Sequence, residues 1–151
     1  MVPTMVKSNF WCSAVLLALL VVVCGCRGAN DGLGSVSGRI TLDGEPLPNA
    51  MVEFAPVNGG SVAYGRTDDD GDYEMMFSRT QEGASIGENI VRITTADVTS
   101  ENGNEVAVPE RVPAKFNRES ELKRTVEPGD NEFNFELTSE GDVASPQNLD
   151  Q

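Results

Sequence analysis

The stretch Tyr64-Gly-Arg-Thr-Asp-Asp-Asp-Gly-Asp-Tyr-Glu-Met-Met76 limits the possible folds more than any other part of this chain. Asp-Asp-Gly after Thr is a turn signal, because an Asp carboxylate bonds its own backbone and Gly accepts positive φ. Beyond the turn, Tyr73, Met75 and Phe77 alternate with Glu74 and Met76. A period of two places the first three on one face of a strand. A hairpin is therefore expected from about Val62 to Phe77, in the middle of a sheet, with Asp70 and Gly71 critical to its turn.

The flanking segments carry the same period. Val36, Gly38, Ile40 and Leu42 alternate with Ser37, Arg39 and Thr41, and Asp43-Gly44 ends that strand. Pro46 and Pro48 keep the next stretch out of a central ladder, since proline has no N–H to donate. Ala50, Val52 and Phe54 face inward on a second strand, with Met51 and Glu53 outward. Asn58–Ser61 and Ser78–Gly87 read as loops. Asn89, Val91 and Ile93 alternate with Ile90, Arg92 and Thr94. Thr95–Asn117 reads as the longest irregular stretch, with a turn at Asn102-Gly103 and with Pro109 and Pro113 opposing regular structure. Leu122 and Val126 mark a sixth strand, Glu127–Asn131 a turn, and Phe133, Phe135 and Leu137 a last strand. Seven short strands with turn signals and no helix predict an all-β sandwich.

Charge and residue usage narrow the chemistry. The formal net charge is -13, and Lys7 is the only charged residue among the first 25, so the remainder carries -14. Such a surface repels nucleic acid and anionic lipid headgroups. Histidine is absent, which removes the commonest general base and the commonest neutral metal ligand.

The N-terminus reads as an address. Ala14–Cys24 is an unbroken apolar run of eleven residues. A membrane-spanning helix needs about 20, whereas the apolar core of an export signal needs about 7–15. The run ends in Val23-Cys24-Gly25-Cys26, which resembles the lipobox of bacterial lipoproteins. The resemblance implies cleavage after Gly25 and a diacylglyceryl group on the Cys26 sulfur, hence export and attachment to a bacterial membrane on its periplasmic face or at the cell surface. An ordinary secretory signal with Cys26 incidental is the alternative, and a retained anchor is disfavoured by the short run. Cys12 and Cys24 would leave with the signal. Cys26 then stands alone and no disulfide can form within one mature chain. The expected organisation is a signal peptide over 1–25, a Gly-rich flexible tether over 26–34, a sandwich over 35–138 and a disordered tail over 139–151.

Within the sandwich, Val36–Phe54, Gly65–Tyr73 and Gly87–Ile93 together resemble the carboxypeptidase regulatory-like domain, a transthyretin-like Greek-key sandwich of seven strands. Val112–Asn117 and Val126–Asn131 are similar to a subgroup of small bacterial lipoproteins built on that domain. Asn89 departs from the pattern, which more often has an aromatic or His there. The resemblance implies an accessory role and no catalytic residues, because the carboxypeptidase activity lies in a separate domain.

The chemical candidates are few. Asp68, Asp69, Asp70 and Asp72 crowd one turn, and carboxylates at alternating positions can bind Ca²⁺. An EF-hand loop, however, needs Glu at position 12, where this chain has Arg79, and it needs flanking helices. No metal or other cofactor is expected. Glu53, Glu74, Glu132 and Glu136 fall on outward strand positions, as a solvated face does. With no His for a triad and no Ser-x-x-Lys, no catalytic residue is expected. Val106–Phe116 reads either as a recognition loop or as a strap with Phe116 packed on the sheet. The expected function is a non-enzymatic, lipid-anchored envelope module with a structural or protein-binding role. The alternative is a carbohydrate or small-molecule module serving an envelope enzyme or transporter.

Overall fold

The computed structural model describes residues 32–143, and the signal, Gly25 and Cys26 lie outside them. The chain opens with β1 (Leu33–Leu42) and turns through Asp43–Gly44, whose φ angles of 53° and 86° suit a two-residue hairpin. The two-residue β2 (Glu45–Pro46) follows, then β3 (Met51–Pro56), β4 (Ala63–Arg66), β5 (Asp72–Glu74), β6 (Ala84–Ser85) and β7 (Gly87–Thr94). β8 (Asp97–Glu101) and β9 (Asn104–Val108) form a hairpin. A 3-10 turn at Ala114–Phe116 leads to β10 (Lys123–Val126), β11 (Asp130–Glu132) and β12 (Phe135–Leu137).

The described residues are all-β, in two larger sheets and a ribbon. One sheet is built on β1, which is antiparallel to β2, β5 and β6 and parallel to β11 and β12. The other runs β10-β7-β3-β4 and is antiparallel throughout. The two enclose a single core, as in a β-sandwich. Alternation supplies it: Val36 and Ile40 from β1, Val52 and Phe54 from β3, Val91 and Ile93 from β7, Val126 from β10, and Phe135 and Leu137 from β12 are all buried. Phe54 stacks on Phe133 across the sheets, ring centroids 6.0 Å apart. Tyr73 buries its ring and donates its hydroxyl proton to the Phe133 carbonyl at 2.8 Å, which satisfies the polar end of the ring.

Several expectations need correction. The hairpin does not lie in the middle of one sheet. β4 pairs with β3 and β5 pairs with β1, so its two arms belong to different sheets. Their backbones hydrogen-bond to each other at Asp68–Asp72 and at the Tyr64–Met76 bridge. The turn is thus a corner between the sheets. Thr95–Asn117 is not irregular throughout, since it contains the β8–β9 hairpin, turned by Asn102 and Gly103 at φ 52° and 83°. Most of its residues are exposed and polar, so no alternating apolar face betrays it. Leu33 and Gly34 of the expected tether are strand residues paired with β6, because Ala84 and Ser85 supply ladder partners that the loop reading of Ser78–Gly87 omitted. At the other end, Ser139 N–H donates to Asp43 and the Asp142 carbonyl accepts from Ala114 N–H. The start of the expected tail is therefore hydrogen-bonded to the domain.

The last strand is broken between β11 and β12. A Cβ on Gly38 would overlap the Phe133 carbonyl, and the close approach leaves no room for an ordinary ladder. Phe133 N–H bonds the Ser37 carbonyl, while the Asn134 side chain takes the Arg39 N–H at 2.7 Å in place of a backbone acceptor. Asn89 faces the interior fully buried. Its amide donates to the Ser85 and Gly87 carbonyls, both at 2.9 Å, and its Oδ1 has no hydrogen-bond partner among the described residues.

Candidate functional site

The corner turn and the outer face of β1 form one continuous surface. Gly71 is buried at φ 79°, and a Cβ there would stand 2.5 Å from the Ile40 carbonyl and 3.2 Å from Leu47 N. Its own carbonyl accepts the Ile40 N–H at 2.9 Å. Only glycine combines that conformation with that approach. Asp70 is exposed, and its side chain makes no bond within the turn. The carboxylate that organises the turn is Asp68, whose Oδ1 accepts from the N–H groups of Asp70 at 3.0 Å and Asp72 at 2.9 Å. Of the two expected turn residues, Gly71 occupies the constrained position, while the side-chain role falls to Asp68. A carboxylate caps N–H groups that follow it in sequence, so the first Asp of the run is the one placed to do this.

Beside the turn, Arg39 on β1 stands opposite Asp72 on β5 and grips it through two bonds, Nε–Oδ1 at 2.6 Å and Nη2–Oδ2 at 2.9 Å. The Arg39 bond holds the Asp72 carboxyl below its ordinary pKa. The pair floors an open groove of about 860 Å³ whose walls carry Arg66, Glu74, Glu132 and Glu136. Glu132 accepts from the Asn134 amide at 3.0 Å. Glu53 lies outside the groove, paired with Arg92 at 2.7 Å. The aromatic rings at the groove, Tyr73 and Phe135, are both buried. The surface therefore offers charge and hydrogen bonds without an exposed ring on which a sugar could stack. Among the described residues no three Asp, Glu, Cys or His side chains converge to hold a metal ion.

Glu110 holds the segment that follows the ribbon. Its carboxylate takes N–H bonds from Thr95 at 2.9 Å, Arg111 at 3.0 Å and Val112 at 2.9 Å, and hydroxyl bonds from Thr94 and Thr95. Burial pushes the Glu110 carboxyl up, and the hydrogen bonds from Thr94, Thr95 and Val112 outweigh it, leaving the group below its ordinary value. Val112, Pro113 and Ala114 behind it are buried, and Phe116 packs against the core. Within Val106–Phe116, then, the segment after Pro109 is a strap tied down by one carboxylate. A Glu between two prolines carries no pattern by which sequence could reveal this.

No family model matches the chain, and no curated protein matches it. Among solved structures it is similar to a 9R-lipoxygenase from Cyanothece PCC8801, with a TM-score of 0.41 and 18% identity. That match covers 71% of this chain and 16% of the lipoxygenase. A likeness this slight carries no argument about fold or activity.

Proposed function

We propose that the chain is a lipid-anchored, non-enzymatic module of the bacterial cell envelope, a transthyretin-like Greek-key sandwich of the carboxypeptidase regulatory-like kind, its seven strands being β1, β3, β4, β5, β7, β10 and the interrupted β11–β12, with β2, β6 and the β8–β9 ribbon as additions. In this reading it serves a structural or protein-binding role. The observation that carries the reading is the apolar run ending in Val23-Cys24-Gly25-Cys26, placed six residues ahead of β1. Arg27–Gly32 spans roughly 20 Å when extended, so the sandwich would stand close to the membrane. The -14 charge carried by residues 26–151 would keep the module's faces off anionic headgroups and open to other proteins.

Two features support the absence of catalysis. Asp72 at the groove is gripped by Arg39, and a carboxylate held below its ordinary pKa is a poor general base. Of the other groove carboxylates, Asp68 is engaged by the Asp70 and Asp72 N–H groups, and Glu74, Glu132 and Glu136 sit on different strands of an exposed face. The test of the anchor is detergent phase partition of the wild type and of Cys26→Ser. The wild type is expected in the detergent phase and the variant in the aqueous phase or retained as uncleaved precursor. Equal partition of both chains as cleaved proteins would overturn the reading.

A further inference from the structure

A second cleft, of about 400 Å³, lies under the β8–β9 hairpin. It opposes two arginines delivered by different elements, Arg66 from β4 and Arg111 from the strap. Both converge on consecutive carbonyls of one corner. Arg66 Nη1 donates to the Asn49 carbonyl at 3.2 Å, and Arg111 Nη2 reaches the Pro48 carbonyl at 3.5 Å. The corner itself is tied down. Asn49 adopts φ 59°, and buried Thr67 ties both sides of it, donating to the Leu47 carbonyl at 2.6 Å and accepting from Ala50 N–H at 2.8 Å. The base of Arg111 is fixed as well, because its N–H bonds the buried Thr95 hydroxyl at 2.7 Å and the Glu110 carboxylate at 3.0 Å.

The two guanidiniums differ in how they are satisfied. Arg66 pairs with Asp97 at 3.0 Å, and the other oxygen of Asp97 accepts from Val98 N–H at 2.8 Å. Both oxygens of Asp97 are thus engaged. Arg111 has no carboxylate on its guanidinium among the described residues, and its single contact there is long. A guanidinium offers five donors in a planar fork that matches a carboxylate. The remaining wall sets the apolar Pro48, Val108 and Pro109 beside the polar Asn49, Thr95 and Thr99. The volume suits a small ligand, and the strongly negative chain disfavours a multiply charged anion.

We propose that this cleft binds a small monocarboxylate with a short apolar body, its carboxylate on Arg111 beside Arg66 and its apolar part against Val108, Pro109 and Pro48. The carboxylate could belong to a free organic acid or to the C-terminus of a short peptide. The proposal does not depend on the lipid anchor and would stand if the anchor reading fell.

The test is titration of the full chain in non-ionic detergent, followed by amide NMR. The ligands are hexanoate and N-acetyl-leucine, each against its uncharged amide. Saturable shifts at Asn49, Thr99 and Val108 are expected for both acids, with a Kd of about 1 mM or tighter. The amides are expected to bind at least about tenfold more weakly. Tighter binding of N-acetyl-leucine would assign the site to peptide termini, and tighter binding of hexanoate to free acids. Arg111→Gln should weaken both acids by roughly tenfold or more, Arg111→Lys should weaken them less, and the distant, exposed Arg79→Gln should leave them unchanged. The inference is overturned if acids and amides bind alike, if no saturable shift appears by about 10 mM, or if a folded Arg111 variant, Gln or Lys, binds hexanoate as the wild type does.

Discussion

Gly71 combines positive φ with a backbone approach that excludes any side chain, so its substitution should act through strain and overlap together. Gly71→Val is expected to destabilise the domain by more than about 1–2 kcal/mol, measured by urea unfolding at constant m. Neighbouring carboxylates should rank differently from what the bare Asp run suggests. Asp68→Ala removes the acceptor of two N–H bonds and should cost about 0.5–1.5 kcal/mol, while Asp70→Ala should be near neutral. A larger loss for Asp70→Ala than for Asp68→Ala would refute the assignment of the turn to Asp68. Millimolar Ca²⁺ should raise the melting temperature no more than matched Mg²⁺ does. Glu110 gives a pH signature. Its pKa is depressed in the folded state, so its contribution is fully present above the unfolded value of about 4.3 and is lost as pH falls through the folded value. Glu110→Gln should cost about 1–3 kcal/mol near pH 7, and the gap between the two proteins should close as the pH drops below about 4. A gap that stays constant from pH 7 to pH 3 would mean that the charge of Glu110 is not what holds the strap.

At the scale of elements, legibility followed burial. Val52, Phe54, Val91 and Ile93 are fully buried and alternate with half-exposed neighbours, so β3 and β7 announce themselves by period. The ribbon of β8 and β9 has Val98 exposed at 62% and no core-facing side, so its only sequence signal was Asn102-Gly103. Where an arm of a hairpin pairs is also invisible locally. The run from Tyr64 to Met76 is a hairpin by pattern, but whether β4 and β5 share a sheet depends on β3 and β1, each distant in sequence. The break between β11 and β12 stems from the approach of Phe133 to Gly38 across nearly the whole domain, which no window of alternation reports. The candidate site followed the same rule. Gly71 was readable because a turn demands it, whereas Glu110, Arg66 and Arg111 acquire meaning only from what they meet. The weakly packed ribbon should open independently of the core. Amide exchange is expected to be fast throughout Asp97–Val108 and slow at Val52, Phe54, Val91 and Ile93, and equal protection in the two regions would contradict this division.

For the molecule as a whole, two readings join: an acidic all-β domain, and an N-terminal run that ends in Gly25-Cys26 shortly before the first strand. One acyl chain gives only marginal membrane binding, while two or more hold a protein stably. Under the proposed anchor, the mature protein begins at Cys26 and carries at least two chains. The most direct measurement is mass spectrometry of the N-terminal peptide of the protein recovered from bacterial membranes. The expected peptide starts at Cys26 and carries diacylglyceryl on its sulfur. A recovered peptide that retains Met1, or one that starts elsewhere with Cys26 as a free thiol, would contradict the account.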